Sequence, residues 1–511
     1  MKIVLPSDIA KIDTYAVNAL GVSEAALIRR AGAAIADAVC ARFPLGEGLI
    51  LVLAGGGNNG ADGYSAACRL REKGYDVCAA DVFSKGQRSA GGKEVLAEYR
   101  ASVGEPLSFA QAERLRPTLI LDAMFGTGFS GKAPEAALLA ADFVRKTGAR
   151  LFAVDVPFGV DAAWGELSES ALFAEATFVL SFLKRGLLSY PAREACGELV
   201  LLDIGLDIPE VHAAFPRLSD DIAAALPRLL PQREINSHKG SFGKAMLFVG
   251  SAQYRGAAHL ASEACLRGGA GLSLLASEKA VAETLLPALP EMIYKEIPPF
   301  FAFTKADIDT VAASAEWASA ILVGSGSLQS EQLGEFLRAL LSRKGAAVIL
   351  DADAINSLAI EREKSLAALK NAKREVVLTP HPLELARLSG VSIGDIQKSR
   401  LRFASSFAKV YGVTLLLKGA GSVIAGKDGE AFVNTSGSSA LAKGGTGDAL
   451  AGFLTALLAQ GAEPVAATRA AAYLHGRAAD SLKEKYTEYG VLPSELPGQM
   501  AIELQKELKG K

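Results

Sequence analysis

Apolar runs of strand length alternate along this chain with alanine-rich segments of helical pattern, and this alternation strongly constrains its fold. After a helical region over residues 9–43, the first series of apolar runs covers residues 49–54, 76–83, 118–122, 151–157, 177–182 and 198–204. Runs that are apolar throughout are typical of parallel strands covered by helices on both faces. We therefore expect a doubly wound, Rossmann-like α/β sheet in the first half.

A second series of apolar runs follows a segment of different composition. Residues 205–232 contain no strand pattern and carry four prolines, which predicts a linker between domains. Beyond it, strand patterns cover residues 244–249, 320–323, 347–351, 375–378 and 413–418, and residues 257–267 are predicted to be helical. Because 511 residues exceed what one core usually organises, we predict two α/β domains, residues 1–221 and residues 222–511.

Charge and cysteine content argue against several classes of partner. The formal net charge is −2 and no long basic run is present, so nothing favours nucleic acid or an anionic membrane. The five cysteines are scattered without a Cys-x-x-Cys spacing, which is typical of buried thiols in a reducing cytosol. No apolar run reaches the roughly 18 residues that cross a bilayer, and no export signal is visible. We expect a cytoplasmic protein that binds small, soluble ligands and forms a homo-oligomer.

One glycine-rich motif stands at the start of a predicted helix. The sequence Gly444-Gly445-Thr446-Gly447-Asp448 runs directly into the apolar residues 449–454. Backbone N–H groups at a helix N-terminus, left bare by glycine, form a site for an anion such as a phosphoryl group. Asp448 would place a carboxylate beside that group as a general base, which suggests phosphoryl transfer to a hydroxyl. A tight loop in which Asp448 only caps the helix is the alternative.

In the first half, polar residues follow several of the predicted strands. Residues 55–63 join a buried strand to a helix and combine glycines with Asn58, Asn59 and Asp62. Asp122 and Asp155 lie at the carboxyl ends of predicted strands, at the edge where open parallel sheets bind ligands. We therefore expect these side chains to converge on one ligand site. The alternative is that each aspartate only caps a turn.

Further loops follow strands in the second half. They contain residues 324–327, residues 351–356, His381 between two prolines, and Lys418 before a glycine-rich turn. The prolines restrict the backbone and could fix the imidazole in a pocket, and glycines beside Lys418 would let a phosphate approach it. An ordinary turn histidine and a solvated strand-end lysine are the alternatives.

The order of these motifs resembles a known family. The second half is similar to ADP- or ATP-dependent NAD(P)HX dehydratases of the ribokinase-like fold, through residues 238–240, 350–356, 378–382, 417–421 and 444–448. The first half is similar to the NAD(P)HX epimerase domain, through residues 57–63, 122–128 and 154–161. The resemblance implies an enzyme that interconverts the R and S forms of hydrated NAD(P)H (NADHX and NADPHX). It would dehydrate the S form with ADP or ATP as phosphoryl donor.

The resemblance also implies roles for individual residues. In the first half, the residues implied to bind hydrated NAD(P)H are Asn58, Asn59, Gly60, Ala61, Asp62, Gly63, Gly126, Thr127, Gly128, Phe129, Ser130, Gly131, Lys132 and Asp155. In the second half they are Ala257, Gly326, His381 and Asp448. The residues implied to bind the nucleotide are Lys418, Gly419, Ala420, Gly421, Ser422, Gly444, Gly445, Thr446 and Gly447. Asp448 and Asp155 are the implied acid–base residues. Asn59 and Asp122 are the implied potassium ligands, and magnesium is expected with the nucleotide.

Three of the family's motifs are altered in this chain. Ala61 stands where a glycine is usual, and residues 324–328 read Gly-Ser-Gly-Ser-Leu in place of Gly-Pro-Gly-Leu-Gly. Both changes leave the backbone geometry attainable. Phe158 replaces an expected serine, which weakens the implied potassium site because a phenyl ring supplies no oxygen. Two other functions fit the residues: a ribokinase-fold kinase for small molecules, and an N-terminal half that binds without catalysing.

Overall fold

The computed structural model describes residues 3–83, 88–129, 132–215, 222–231 and 233–509. The chain forms two compact units, Met1–Asp220 and Asp221–Lys511. Each unit is built around its own sheet. No helix in the described ranges is both long and apolar enough to cross a membrane.

Unit 1 contains a seven-stranded parallel sheet. Its strands are β2 (Ile50–Ala54), β3 (Val77–Asp81), β4 (Leu107–Ser108), β5 (Leu119–Ala123), β6 (Arg150–Val154), β7 (Ala176–Leu180) and β9 (Glu198–Leu202). They stand in the order β4-β3-β2-β5-β6-β7-β9, with every neighbouring pair parallel. A separate parallel pair joins β1 (Ile3–Val4) to β8 (Leu183–Lys184).

Helices cover both faces of the unit 1 sheet. They are α1 (Pro6–Asn18), α2 (Glu24–Cys40), α3 (Asn58–Glu72), α4 (Ala90–Ser102), α5 (Phe109–Ala112), α6 (Glu135–Thr147), α7 (Ala192–Ala195) and α8 (Pro209–Ala214). In β2, Ile50 and Val52 belong to one hydrophobic core, and Leu51 and Leu53 belong to another. Alternate residues point to opposite faces of a strand, so both faces of β2 are buried. This burial explains why the whole run is apolar, and it confirms the predicted fold class.

Unit 2 contains a nine-stranded mixed sheet. Its strands are β10 (Lys244–Phe248), β11 (Leu272–Ser277), β12 (Ile293–Glu296), β13 (Ala320–Val323), β14 (Ala347–Leu350), β15 (Val376–Leu378), β16 (Thr414–Leu417), β17 (Val423–Ala425) and β18 (Ala431–Val433). The order is β12-β11-β10-β13-β14-β15-β16-β17-β18. The pairs from β12 to β16 are parallel, whereas β17 and β18 add an antiparallel edge.

The helices of unit 2 pack closely on this sheet and on one another. They are α9 (Ile222–Leu229), α10 (Arg255–Arg267), α11 (Lys279–Leu285), α12 (Lys305–Ser314), α13 (Glu331–Leu341), α14 (Asp353–Ile360), α15 (Arg362–Lys370), α16 (Pro382–Ser389), α17 (Ile393–Lys398), α18 (Arg400–Tyr411), α19 (Thr446–Ala459), α20 (Pro464–Gly490) and α21 (Leu496–Lys509). Nearly all of α19 is buried. A Cβ atom at Gly452 would overlap the carbonyl of Ala261 on α10, so only glycine permits this approach.

The segment predicted as a linker, residues 205–232, contains the division between the two units and two short helices. Residues 205–232 include α8 and α9, and each helix is anchored in a core through one fully buried side chain, Val211 in unit 1 and Leu226 in unit 2. Pro209 occupies the first turn of α8, where its missing N–H costs nothing, and Pro227 lies inside α9. Proline content alone therefore did not distinguish a linker from short helices. The predicted boundary after residue 221 lies outside the described residues.

Candidate functional site

A cavity of about 990 Å³ lies in unit 1 beside the loops that follow β2, β5 and β6. The sequence-predicted residues in its wall are Asn58, Asn59, Asp62, Gly126, Thr127, Gly128 and Asp155. Helix α1 forms another part of the wall. The carboxyl ends of neighbouring parallel strands thus bring the predicted loops together, as expected for an open parallel sheet.

Close backbone packing shapes the floor of this cavity. Gly57 is the N-cap of α3, so free N–H groups of its first turn lie beside the cavity. Cβ atoms at Gly55 and Gly60 would overlap the backbone of Met124 and of Gly55, respectively. These glycines are required because two loops meet backbone to backbone.

The other described positions predicted in unit 1 do not line this cavity. Gly60, Ala61 and Gly63 are buried within α3, and Phe129 is buried against Phe125 and Phe158. Lys132 is exposed. Ser130 and Gly131 lie outside the described residues.

Asp155 forms a buried ion pair that the sequence did not indicate. Its Oδ1 accepts hydrogen bonds from the ammonium of Lys184 and, at 3.1 Å, from the backbone N–H of Leu180. Lys184 is 1% exposed and also donates to the carbonyl oxygen of Leu180 at 3.1 Å. Asp155 has a φ of 65°, an unfavourable conformation for a residue with a Cβ atom. The two hydrogen bonds hold its carboxylate at the cavity wall.

Two further carboxyl groups share this environment. Burial raises the pKa of Asp62 well above its usual value, and the nearby carboxylates of Asp155 and Asp13 add to the effect. Burial also raises the pKa of Asp13 to about 6, although the neighbouring Lys184 ammonium opposes the shift. Three carboxyl groups, those of Asp13, Asp62 and Asp155, therefore lie near the Lys184 ammonium group.

The implied potassium ligands lie next to an aromatic cluster. Asp122 is fully buried, and its two oxygens accept backbone N–H groups of Met124 at 3.1 Å and of Phe158 at 2.7 Å. Burial raises the pKa of Asp122 to about 6, and these two hydrogen bonds limit the rise. Phe158 is fully buried against Phe125 and Phe129, with ring centroids 5.8 Å and 5.6 Å apart. Since its ring offers no oxygen, these residues fit a potassium ion poorly.

In unit 2, a half-buried lysine joins the ends of β14 and β16. Lys418 Nζ donates to Asp351 Oδ1 at 2.8 Å, and Glu384 Oε2 lies 4.0 Å from the same nitrogen. Asp351 also accepts hydrogen bonds from the hydroxyls of Ser325 at 2.9 Å and Thr379 at 2.8 Å. Burial alone would lower the pKa of Lys418, but the two carboxylates raise it above the usual value. Lys418 is thus a cation fixed by its ion pair with Asp351, not a solvated strand-end lysine.

Asp448 lies in the first turn of α19, beside this lysine. The N-cap of the helix is Gly445, with a φ of 102°, so the capping alternative for Asp448 is wrong. Burial and then the Asp351 carboxylate raise the pKa of Asp448 to about 7, against the opposing effects of Lys418 and of a hydrogen bond with Ser325. A Cβ atom at Gly447 would lie 3.5 Å from Lys418 Nζ. A carboxyl group that titrates near neutrality thus lies with a cation at a helix N-terminus.

His381 occupies the N-cap of α16. Its Nδ1 accepts the backbone N–H of Glu384 at 3.2 Å, while its own backbone N–H donates to Glu384 Oε2 at 2.7 Å. Its Nε2 lies 3.2 Å from Glu384 Oε1. Burial and the nearby Lys418 lower the pKa of His381, whereas burial raises the pKa of Glu384 to about 7. His381 therefore has a structural role as a helix cap, and its half-exposed ring remains accessible to a ligand.

The remaining predicted positions of unit 2 form its loop edges. Gly326 has a φ of 67°, and a Cβ atom there would stand 2.8 Å from the Cβ of Ala257. Gly419 and Gly421 have φ values of 136° and 58°, and the hydroxyl of Ser422 donates to the Gly419 carbonyl at 2.9 Å. These left-handed conformations turn the backbone sharply after Lys418.

Thr446 and Gly444 complete the turn before α19. The Thr446 hydroxyl lies 3.0 Å from the carbonyl oxygens of Leu441 and Lys443, so this side chain stabilises the turn itself. A Cβ atom at Gly444 would meet open space. A hydrogen bond with the Thr446 backbone also links this turn to His475, a buried residue whose pKa burial lowers to about 4.

Sequence reasoning missed several charged residues of both sites. Asp351 directly follows strand β14, just as Asp155 directly follows β6, so the rule that selected Asp155 could have selected Asp351. Glu384 follows His381 by three residues and carried no separate signal. A lysine after an apolar run was the only signal for Lys184. No local pattern pointed to Asp13, because its place in the cavity depends on how α1 packs.

Comparisons with known proteins agree with this two-unit arrangement. A family model described as NAD(P)H-hydrate dehydratase matches residues 245–500, and one described as YjeF-related protein N-terminus matches residues 24–186. The bifunctional NAD(P)H-hydrate repair enzyme Nnr of Moorella thermoacetica is 30% identical, covering 97% of this chain and 95% of its own length. The corresponding enzyme of Escherichia coli K12 is 31% identical, with coverages of 96% and 91%. A solved ADP/ATP-dependent NAD(P)H-hydrate dehydratase from Bacillus subtilis, co-crystallised with ATP and Mg²⁺, is 31% identical. It covers 56% of this chain and 97% of its own, with a TM-score of 0.49.

Proposed function

The chain belongs to the family of bifunctional NAD(P)H-hydrate repair enzymes, and we propose that its two units divide the epimerase and dehydratase activities between them. In this proposal unit 1 interconverts the R and S forms of NADHX and NADPHX. Unit 2 dehydrates the S form to NAD(P)H with ADP or ATP as phosphoryl donor, releasing AMP or ADP and phosphate. The single observation that carries the dehydratase proposal is the juxtaposition of Asp448, Lys418 and the glycine-rich first turn of α19.

Asp448 serves as the general base of unit 2. A pKa of about 7 lets its carboxylate accept the proton of the substrate hydroxyl at neutral pH while that oxygen attacks the terminal phosphoryl group. The Lys418 ammonium and the free N–H groups of α19 stabilise the negative charge of the transferred group. Hydroxide is a poor leaving group and phosphate is a good one. In the phosphorylated intermediate, the bond between the ring carbon and the phosphate oxygen then breaks as the lone pair of the ring nitrogen forms a carbon–nitrogen double bond. Loss of a proton from the neighbouring ring carbon restores NAD(P)H.

Residues 418–422 and 444–447 hold the nucleotide in this proposal, and Ala257, Gly326 and His381 border the hydrated nicotinamide. Magnesium, when bound, supplies positive charge to the nucleotide phosphates. Within the described residues no group of three His, Cys, Asp or Glu side chains is placed to hold a metal ion, so the nucleotide phosphates and water would supply most of the magnesium ligands.

In unit 1 the cavity of about 990 Å³ holds the hydrated nicotinamide nucleotide. The first turn of α3 supplies backbone N–H groups for phosphate, together with the side chains of Asn58 and Asn59. Asp155 acts as an acid–base group in moving the hydroxyl between the two epimers. Of the three side-chain ligands that the resemblance implies for potassium, Asn59 and Asp122 are present, so we propose a weak potassium site.

The test is to incubate the purified protein with mixed NADHX epimers and either ADP or ATP, and to follow the absorbance of reduced nicotinamide. We expect NADH and free phosphate in equal amounts. A small-molecule kinase would instead leave a stable phosphomonoester and no NADH. Repeating the assay with NADPHX measures the cofactor preference. The expected homo-oligomer and cytoplasmic location stay predictions.

A further inference from the structure

The unit 1 cavity contains several acid–base groups to which the proposed reaction assigns no role. Besides Asp155, the titratable side chains in its wall are Asp13 from α1, Glu24 from α2, Asp62 from α3 and Lys184 from β8. Glu24 is engaged outside the centre, accepting the Asn58 amide at 3.1 Å and the backbone N–H of Gly91 at 3.0 Å. The groups left to act on a ligand are therefore Asp13, Asp62 and the Asp155–Lys184 pair.

Asp13 differs from the other carboxyl groups in how it is held. Asp155 is fixed by the Lys184 ammonium and the Leu180 backbone N–H. Asp62 is deeply buried, and burial raises its pKa well above the usual value. Asp13 is only half-buried, lines the cavity, and has no hydrogen-bond partner within the described ranges. Its carboxyl group is therefore available to a ligand.

From this arrangement we infer that Asp13 is the second acid–base residue of the epimerase cavity, acting with Asp155 on the ring carbon that carries the hydroxyl. This inference rests on the proposed epimerase function of unit 1. Burial raises the pKa of Asp13 to about 6, so both protonation states are populated near neutral pH. A group that alternates between donating and accepting a proton needs such a pKa.

The reaction balances with these two groups. Protonated Asp13 donates its proton to the hydroxyl; the carbon–oxygen bond breaks as the ring nitrogen lone pair forms a carbon–nitrogen double bond, and water leaves. Water then adds to the opposite face of the same carbon, the double-bond electrons return to nitrogen, and the Asp155 carboxylate takes the released proton. The reverse epimerisation exchanges the two roles. Lys184 positions Asp155, and no electron donor or acceptor is required.

The test compares Asp13→Asn with wild type, starting from each separated NADHX epimer. We expect the kcat of epimerisation to fall by about 10²–10⁴-fold while KM changes little. In the direction of epimerisation that needs protonated Asp13, the wild-type rate should fall as pH rises through about 6. The variant should not show this fall. Dehydration of the S epimer should be unchanged. Asp37→Asn is the matched control, because this carboxylate on α2 is exposed and pairs only with Lys73 at 3.0 Å.

Several outcomes decide the matter. Retention of more than a tenth of the wild-type kcat by Asp13→Asn, or an unaltered pH profile, would overturn the inference. If Asp13→Asn does not fold, Asp13→Glu decides: an altered kcat and pH profile support the role, and wild-type values for both contradict it. If the wild-type protein itself does not interconvert the epimers faster than they do in buffer, the proposed function of unit 1 fails instead.

Discussion

At the scale of single residues, Asp448 shows how burial couples catalysis to stability. The carboxyl group lies beside Asp351, and the two effects together raise its pKa from 3.8 to about 7. If the Asp448 carboxyl group were exposed to water, its pKa would be close to the ordinary value of an aspartate. The group would then be ionised at all physiological pH values. The fold thus gives Asp448 a pKa that suits a general base, and the protein is less stable when this group is ionised.

This coupling predicts a pH-dependent stability. Because the folded pKa of Asp448 exceeds the unfolded one, the folded state retains a proton that the unfolded chain releases between about pH 4 and 7, and the free energy of unfolding falls across that range. Each pKa unit corresponds to about 1.4 kcal/mol. Asp448→Asn cannot ionise, so we expect unit 2 to unfold at a higher temperature than wild type at pH 8, with a smaller difference at pH 5. Thermal unfolding at both pH values measures this. An equal difference at both would contradict the assignment.

Phe158 determines whether potassium matters to unit 1. Its buried ring stands where the family resemblance implies a serine hydroxyl, and its backbone N–H donates to Asp122. We predict that wild-type epimerisation responds weakly to potassium and that Phe158→Ser responds more strongly. Phe158→Leu is the control, since it removes the ring without adding an oxygen. Rates in potassium and choline buffers make the comparison, and an equally strong response in all three proteins would refute the prediction.

At the scale of elements, helix α19 carries Asp448, the proposed general base of dehydration, and is closely packed. Gly452 meets the Ala261 carbonyl of α10 with no room for a Cβ atom. We predict that Gly452→Ala destabilises unit 2 by about 1–3 kcal/mol and lowers dehydratase activity, because the helices must separate. Epimerase activity should persist. Gly498→Ala on α21 is the matched control, since a Cβ atom there meets open space. Denaturant unfolding measures the stability of both variants. Equal stabilities would contradict the prediction.

The elements also show what could be predicted from sequence. The run at residues 49–54 became β2 because both of its faces are buried, and such uniform burial leaves a clear apolar signal. β12 was missed because this edge strand is half polar, and β11, β17 and β18 were also missed. Among site residues, Asp448 and Asp155 carry local signals. Asp13 and Lys184 enter the cavity only through tertiary packing, which no local pattern records.

At the scale of the whole molecule, the two units have separate cores. The described core of unit 2 includes Leu226 of α9, whereas Val211 of α8 belongs to unit 1. We therefore predict that the fragments 1–221 and 222–511 fold separately and that each keeps its own activity. Expression of each fragment, followed by epimerase and dehydratase assays, tests this. Insoluble fragments, or a C-terminal fragment that cannot dehydrate the S epimer, would contradict it.

The most direct test of the central claim is to supply the purified R epimer of NADHX with ADP or ATP, because NADH can then form quickly only if both units act. Wild type should convert all of it to NADH and phosphate. Asp155→Asn should leave most of the R epimer to the slow reaction in buffer. Asp448→Asn should give a mixture of R and S epimers, with NADH formation slowed by about 10²–10⁴-fold. Rapid NADH formation from the R epimer by either variant, or a stable phosphorylated product from wild type, would contradict this division of function.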